Sequence, residues 1–471
     1  MAEQFLHGVE VIEIDNGPRP IRTVKSSVIG LVGTAPDADA AAFPLNTPVL
    51  VTANRTEAAK LDTTGSGQGT LPYAIDAIYD QIGAMVVVIR VEEGVDANET
   101  LTNVLGGVNP GTGDYEGVHA LLAAQSALGV TPRILVAPGY TGDRIVDGVT
   151  GITVGTPGTG YTSAPAVEIT GAGTGATATA TLDGSGGVAS VTVTNPGYGY
   201  STPPTVTFTG GEGTGAAATA TVGTTADAVV AELLGIAERM RAVIIADGPS
   251  TTDADAIAYR GDWGSDRVYV VDPRVLVSED GVTVARPASA RVAGLIAKID
   301  NTKGFWWSPS NQNINGIIGT ERAVDFALGD PNSRANYLNE NEVATIVRAA
   351  GYRLWGNRTT SSDPKWAFLS VRRTADIIND SLLRAHLWAV DRNITRTYLE
   401  DVVEGVNAYL RSLTAQGAIL GGKCWADPDL NTPVNISAGK VFFNFEFTPP
   451  YPAEHVTFRS HLVNDYIAEI I

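Results

Sequence analysis

The stretch "MVVVIRV" at residues 85 to 91 decides the fold class, because it is a run of mostly β-branched residues with a single charge. Such runs are typical of strands that are buried on both faces of a parallel sheet. Just before it, Leu71, Ile75, Ile78 and Ile82 recur at helical spacing. A helix followed by a buried strand is the unit of a parallel α/β layer, so the sequence predicts an α/β body around this strand.

The same alternation continues on both sides of this stretch. Further buried strands are predicted at "SSVIGLVGTAP" from Ser26, "PVLVT" (48–52), "RILVAPG" (133–139), "RAVIIADGP" (241–249) and "DRVYVVDP" (266–273). Further helices are predicted near 54–61, where Asn54 and Glu57 could form a capping pair, and at 117–129, 226–240 and 288–299. We therefore predict an α/β body made of residues 25–145 and 226–339.

Residues 146–225 interrupt this body with a stretch rich in Gly, Thr, Ala and Val. The segment "TVGTPGTGYTSAPAVEITG" (153–171) returns as "TVTNPGYGYSTPPTVTFTG" (192–210), an offset of 39 residues. Two copies of one β-unit have been inserted between a strand and the helix that follows it, where chains tolerate additions. The sequence predicts a small, inserted all-β repeat domain.

The C-terminal part differs in composition from the body and contains most of the tryptophans. We predict an α+β domain over 340–454. Near its end, Val441, Phe443, Phe445 and Phe447 alternate with Phe442, Asn444 and Glu446 as in a half-buried strand. The local sequence does not indicate a partner for this strand.

Both ends of the chain carry apolar segments without an evident partner. Val9, Val11, Ile12 and Ile14 predict a strand, and the turn residues Asn16-Gly17-Pro18 follow it. Such a strand pairs either with a distant segment of the same chain or with another chain. At the other end, Val456 and Phe458 alternate like a strand, whereas Leu462, Tyr466 and Ile470 also fit a helix.

Composition excludes several classes of protein. The 51 acidic residues exceed the 32 basic ones, and a net charge of −19 disfavours binding to nucleic acid or to anionic membranes. The longest apolar runs fall far short of the ~20 residues that span a bilayer. No signal peptide is evident, and the single cysteine, Cys424, permits no internal disulfide and is interpreted as a buried apolar residue.

The sequence offers little support for catalysis, and no catalytic, cofactor-binding or metal-binding residue is predicted. The five histidines are scattered, and no HExxH, nucleophile-elbow or Walker pattern occurs. An alternative hypothesis is an α/β hydrolase or a metal-dependent enzyme that uses Asp143, Asp247 and Asp272 at the strand ends, although aspartates there commonly cap helices. A third hypothesis is a surface adhesive module in which Tyr161, Tyr198 and Tyr200 stack on sugars, although such tyrosines more often fill a small core.

Several longer strings carry a family resemblance. They include "HGVEVIEIDNG" at the start, "VVIRVEEG" (87–94), "INGIIG" (314–319), "AGYRLWGNRT" (350–359), "RRTADII" (372–378) and "LWAVDRNIT" (387–395). With these strings, the chain resembles contractile phage tail sheath proteins of the P2-like group, whose sheath is also used by R-type tail-derived bacteriocins. The resemblance covers nearly all of the chain outside 146–225.

The resemblance implies a structural role. Subunits of such sheaths form hexameric rings that are stacked helically around a tail tube, and contraction drives the tube through a bacterial envelope without a nucleotide. The implied partners are further copies of the chain, the tail tube protein, and the baseplate and tail terminator proteins, with no nucleic acid and no membrane insertion. The implied location is the virion tail, assembled in the cytoplasm of the host bacterium.

The resemblance also implies a use for the two ends. Residues 1–24 and 455–471 would be linker arms that lend strands to the sheet of neighbouring subunits, which contains Val441, Phe443, Phe445 and Phe447. The domain over 340–454 would face the tube. We expect the inserted domain to lie on the outer surface, because tightly packed neighbours leave no room for it inside.

Overall fold

The computed structural model describes residues 20–466 of the chain. The N-terminal strand predicted from Val9, Val11, Ile12 and Ile14 lies outside the described residues, as does Ile470 of the C-terminal arm.

The first part of the body contains the predicted alternation of strands and helices. Its strands are β1 (Ile29–Thr34), β2 (Val49–Thr52), β3 (Met85–Val91), β4 (Gly107–Val108), β5 (Tyr115–Glu116) and β6 (Ile134–Val136), and its helices are α1 (Arg55–Ala58), α2 (Leu71–Tyr79), α3 (Ala97–Leu105) and α4 (Ala124–Leu128). The Asn54 side chain caps α1 by accepting from the backbone N–H of Thr56 and Glu57. The single helix predicted over 117–129 is wrong in detail, because Gly117–Ala123 is a 3-10 helix that precedes α4.

The insert forms a closed barrel of six strands. They are β7 (Ile145–Thr159), β8 (Ala166–Thr170), β9 (Thr177–Leu182), β10 (Val188–Asn195), β11 (Thr205–Thr209) and β12 (Thr214–Thr225), in the spatial order β10-β7-β12-β11-β8-β9. Tyr161 and Tyr200, which occupy equivalent repeat positions, are buried in two small apolar clusters. They therefore fill the barrel core, whereas Tyr198 is exposed.

The second part of the body follows the barrel. Its strands are β13 (Val243–Asp247), β14 (Val268–Val271), β15 (Val275–Glu279), β16 (Val282–Arg286), β17 (Gln312–Asn313), β18 (Gly319–Thr320), β19 (Val343–Arg348) and β20 (Tyr352–Trp355), and its helices are α5 (Ala228–Met240), α6 (Asp253–Gly261), α7 (Ser289–Thr302) and α8 (Arg334–Glu340).

The body is built on one nine-stranded sheet with the order β17-β20-β19-β14-β13-β6-β1-β3-β2. The central strands from β19 to β3 are parallel, but β2 and β20 pair antiparallel with their neighbours, so the sheet is mixed. Alternate residues of each central strand enter two separate apolar clusters, one on each face of the sheet. The predicted boundary at 339/340 falls inside this sheet, because β19 pairs with β14 and carries the sheet beyond residue 339.

The C-terminal part contains α9 (Leu369–Ala385), α10 (Arg396–Gln416), β21 (Gly421–Ala426), α11 (Pro433–Ser437) and β22 (Phe443–Thr448). Strands β21 and β22 form a two-stranded antiparallel sheet. The alternating strand predicted from Val441 therefore begins only at Phe443. Residues 449–464 belong to neither a helix nor a strand. No helix between residues 20 and 466 is long and apolar enough to cross a bilayer.

Candidate assembly interfaces

Helix α9 is fixed to the body by buried ion pairs. Arg267 directly precedes β14, and its Nη1 lies 2.7 Å from Oδ2 of Asp376 on α9. Arg133 directly precedes β6 and pairs with Asp380, one turn further along the helix. All four side chains are at least nine-tenths buried. Because both arginines stand at the amino ends of parallel strands, α9 crosses that end of the sheet and joins the C-terminal part to it.

Neighbouring arginines on α9 extend this contact. Arg372 pairs with Asp376 at 2.7 Å and with Asp266 at 3.1 Å. Arg373 pairs with Asp300 at 2.6 Å and donates to the Ser26 carbonyl, where the chain enters β1. We call these ion pairs, together with Arg133–Asp380 and Arg267–Asp376, the α9 network. The α9 network connects α9 to two strand starts, to α7 and to the N-terminal segment.

The hairpin of β21 and β22 rests on α10. Phe443, Phe445 and Phe447 pack against an apolar cluster that contains Leu410 and Leu413 of α10. Cys424 of β21 is buried in the same cluster, and burial raises the pKa of its thiol. The cysteine therefore contributes to the core, as its sequence context indicates.

The two outer edges of this hairpin differ. Asn407 of α10 donates from Nδ2 to the Cys424 carbonyl at 3.0 Å and accepts from the Cys424 N–H at 2.7 Å. A single side chain thus satisfies both outward backbone groups of Cys424. Since a helix covers it there, the edge of β21 is protected against further strand pairing.

The outer edge of β22 is open. The N–H of Asp427 donates to the Phe442 carbonyl, so the alternation of an antiparallel pair turns the backbone groups of Phe443, Phe445 and Phe447 away from β21. Within residues 20–466, no strand pairs with this side of β22. An unpaired edge of this kind is a template for a strand from another chain.

The described part of the C-terminal arm does not pack on its own subunit. Its base is held by Glu454, which forms a bidentate ion pair with Arg358 at 2.6 and 2.8 Å. Beyond this point the apolar side chains are exposed, with exposed fractions of 64% for Val456, 92% for Phe458, 98% for Leu462 and 70% for Tyr466. Exposure of so many large apolar groups in one segment indicates a partner surface.

The aspartates of the enzymatic hypothesis have structural contacts. Asp247 is buried and accepts from the N–H and the hydroxyl of Ser289, at the start of α7, at 2.8 and 2.6 Å. Asp272 pairs with Arg322 and accepts from the N–H of Ser250, whereas the side chain of Asp143 is exposed. Between residues 20 and 466, no group of three His, Cys, Asp or Glu side chains is placed to hold a metal ion.

The two ends of the barrel leave the body side by side. Ile145 and Thr225 are cross-strand partners of β7 and β12. Next to them, the buried Asp227 caps α5 by accepting from the Val230 N–H at 2.9 Å, and burial raises its pKa to about 7. Arg144 forms a bidentate pair with Asp262 at 2.7 and 2.8 Å. The neck of the insert is therefore narrow and firmly held.

Sequence reasoning missed the α9 network and Asn407. Arg372, Asp376, Asp380 and Arg384 recur at a spacing of four residues, a row of charges that usually indicates a solvent-exposed helical face. The apolar residues of the same helix gave no sign that this row would be buried. The only available signal was the number of arginines that directly precede predicted strands.

Comparisons with known proteins identify the family. Three family models match the chain: the phage tail sheath protein central domain over 216–360, the phage tail sheath C-terminal domain over 361–462, and the tail sheath protein Gp18 domain III N-terminal region over 26–91. A prophage major tail sheath protein of Pseudomonas aeruginosa (strain UCBPP-PA14) is 37% identical, and the alignment covers 99% of both chains. The tail sheath protein of Escherichia phage P2 is 31% identical, with coverage of 99% of this chain and 98% of the phage protein.

Solved structures share the fold. The anti-feeding prophage (AFP) helical sheath in its contracted state has a TM-score of 0.61 at 17% identity, covering 98% of this chain and all of the other. The sheath complex of an extracellular contractile injection system, PVC, in its contracted state has a TM-score of 0.59 at 14% identity, covering 99% of each chain.

The matched families and relatives are structural tail sheath proteins and not enzymes, so the enzymatic interpretation of Asp143, Asp247 and Asp272 is wrong. The relatives above 30% identity align over almost the whole chain, and so do the sheath structures. The chain belongs to the P2-like group of contractile phage tail sheath proteins.

Proposed function

We propose that this sheath subunit polymerises as hexameric rings, stacked helically around a tail tube, by exchanging strands between neighbours. The observation that carries the proposal is the open outer edge of β22, in a hairpin whose other edge is covered by α10 at Cys424. A strand added at β22 would satisfy the outward backbone groups of Phe443, Phe445 and Phe447 with main-chain hydrogen bonds.

The arms supply the strands. Val456 and Phe458 alternate along the C-terminal arm and are exposed on their own subunit, so the arm is free to pair elsewhere. The N-terminal strand of Val9, Val11, Ile12 and Ile14 is the second donor. With both arms engaged on different neighbours, each subunit is connected within its ring and between rings, with Val441 at the start of the acceptor segment.

The same proposal includes further partners. The C-terminal part faces the tail tube, and baseplate and terminator proteins close the two ends of the sheath in a virion tail that is assembled in the host cytoplasm. Solved AFP relatives include baseplate structures as well as sheaths. The barrel lies on the outer surface, because its two chain ends are adjacent and it offers no free strand edge.

Contraction needs no catalysis. Neighbouring bodies slide to larger interfaces while the exchanged strands keep the subunits connected. Coupling energies of about 1–3 kcal/mol are usual between packed elements, and such gains add over all subunits of the polymer.

Electron microscopy of the purified protein tests the proposal. We expect tubes of uniform diameter with helically stacked hexameric rings, either spontaneously or on addition of tail tube protein. A protein that stays monomeric at high concentration and in the presence of tube would contradict it.

A further inference from the structure

A cavity of about 570 Å³ lies where the N-terminal segment meets the end of α9. Three segments of chain line it: residues 20–28, residues 129–133 between α4 and β6, and residues 384–388 at the end of α9. This volume falls in the range of about 300–1,000 Å³ that is common for binding pockets. The cavity is therefore large enough for a few side chains.

The walls combine positive charge with apolar surface. Arg22, Lys25 and Arg384 supply the charge, and Val28 and Val130 supply apolar surface. Among residues 20–466, neither Arg22 nor Lys25 lies within ion-pair distance of a carboxylate. In a chain with a net charge of −19, such a site favours an acidic and apolar occupant.

The cavity adjoins the hairpin. Val24 lines the cavity and also packs against the apolar cluster that holds Phe443, Phe445 and Phe447. Because Val24 is shared in this way, we expect a strand that pairs with β22 to end near the cavity. An extended chain advances about 3.3 Å per residue, so the four residues after Phe458 reach about 13 Å further.

We propose that this cavity binds residues 462–466 of the C-terminal arm of a second copy of the chain. The inference rests on the proposed strand exchange and adds a second, separate point of attachment. In the sequence "LVNDY", Leu462, Val463 and Tyr466 meet the apolar wall, and the carboxylate of Asp465 pairs with the cations. These side chains are exposed on their own subunit, at 98% for Leu462 and 70% for Tyr466.

The occupant comes from a second copy because the chain's own arm starts at the far end of α9. Arg358, which holds Glu454, forms a β-bridge with Phe368, directly before α9 begins. The cavity lies at Arg384 and Ala385, where the helix ends. A helix of 17 residues is about 25 Å long, and none of residues 455–466 of the same chain, all of which are exposed, lines the cavity.

Mixed cysteine cross-linking tests the inference. In a Cys424→Ala background, one protein carries Val130→Cys in the cavity wall and another carries Tyr466→Cys in the arm. Because each protein holds one cysteine, only a bond between the two proteins gives the mixed dimer. We expect this dimer after mild oxidation of tubes assembled from the mixture, and not from unassembled protein. A matched control replaces Val130→Cys by Val282→Cys, on the exposed tip of the β15–β16 hairpin, and should give no dimer.

Failure of the inference and failure of the proposed function differ in outcome. Tubes that assemble normally from the mixture without the cross-link overturn the inference and leave the strand exchange standing. Absence of tubes even for the wild-type protein overturns both. As an independent measurement, Lys25→Glu should raise the protein concentration that is required for tube formation at least tenfold. Adding Asp465→Lys to the same chain should restore tube formation. A Lys25→Glu protein that assembles like the wild type contradicts the pairing.

Discussion

At the scale of single residues, the carboxylates of the α9 network matter because each holds a buried arginine. Burial of two charges together is often near neutral in free energy, whereas removal of one partner leaves the other charge uncompensated. Asp380 contacts both Arg133, which is almost fully buried, and Arg384, which is partly exposed. Its loss therefore leaves Arg133, whose side chain is only 4% exposed, without a carboxylate partner.

We predict that Asp380→Asn lowers the free energy of unfolding by about 3–5 kcal/mol, the range measured when one partner of a buried pair is removed. Urea denaturation of the unassembled subunit measures the change. The control is Glu400→Gln. It breaks the exposed ion pair between Glu400 and Arg396, which has the same four-residue spacing as the pair between Asp380 and Arg384, and it should change the free energy of unfolding by less than about 1 kcal/mol. Equal effects of the two substitutions would show that burial of the α9 network is irrelevant.

Asp227 predicts a pH dependence of stability. Burial raises its pKa in the folded protein to about 7, above the value near 4 that is usual for an unfolded chain. The folded state then binds more protons than the unfolded state between these two values. The contribution to stability is complete below pH 4 and is lost as the pH rises through 7.

We therefore expect the wild type to lose about 2–3 kcal/mol more stability than Asp227→Asn between pH 5 and pH 8. Asparagine keeps the cap of α5, because its side-chain oxygen can still accept from the Val230 N–H. Urea titrations of both proteins at several pH values measure the difference. Parallel curves for the two proteins would assign the pH dependence to other groups.

At the scale of elements, the protein contains two small β-structures with opposite edge properties. The barrel closes on itself and has no free edge, whereas the hairpin of β21 and β22 has one edge covered by Asn407 and one edge open. Only the hairpin can accept a strand. In the proposed strand exchange, polymerisation therefore depends on the C-terminal part and not on the insert.

We predict that a variant lacking residues 146–225, with Ile145 joined to Ala226, folds and still forms tubes. The join is feasible because Ile145 and Thr225 are cross-strand partners, with Cα atoms about 5 Å apart. Electron microscopy and thermal melting check the result. As a control, removal of a single repeat, residues 153–191, opens the barrel and should give aggregating protein, since unpaired edges are exposed. A folded full deletion that does not assemble would show that the insert is part of the lattice.

At the scale of the whole molecule, the arms of the proposed assembly connect subunits without stabilising any one of them. Val456 and Phe458 contribute little to the fold of their own subunit because they are mostly exposed. We predict that a subunit without residues 1–16 or without residues 456–471 still melts cooperatively, with a free energy of unfolding within about 1 kcal/mol of the wild type. Either truncation should abolish tube growth. Calorimetry and electron microscopy provide the two measurements. Normal tubes from either truncated protein would mean that the arm folds back on its own subunit.

The parts of this molecule that could be predicted from sequence are those set by local pattern. Strand β3 is buried along both faces, as the run of valines indicates. The insert is recognisable because its repeat breaks the alternation of helix and strand. In both cases neighbouring residues carry the information.

The remaining features depend on contacts between residues far apart in the chain. Arg133 and Asp380 are separated by 247 residues, and no periodicity relates them. Strand β19 has the pattern of any short buried strand, and its membership of the main sheet is decided by its pairing with β14. Asn407 lies in α10, and the other residues of α10 are enough to explain why this segment is helical. Nothing in the local sequence therefore predicts the contact between Asn407 and Cys424.

In mechanical terms, the α9 network makes the subunit one stiff part. In the proposed assembly, a load that a neighbour applies at the hairpin passes through α10 and α9 and enters the sheet at the starts of β6 and β14. Further ion pairs of α9 with Asp266 and Asp300 oppose rotation of the helix about its contacts with β6 and β14. The α9 network therefore opposes bending at the junction between the C-terminal part and the body, and in the proposed assembly a displacement of one neighbour is passed on to the next.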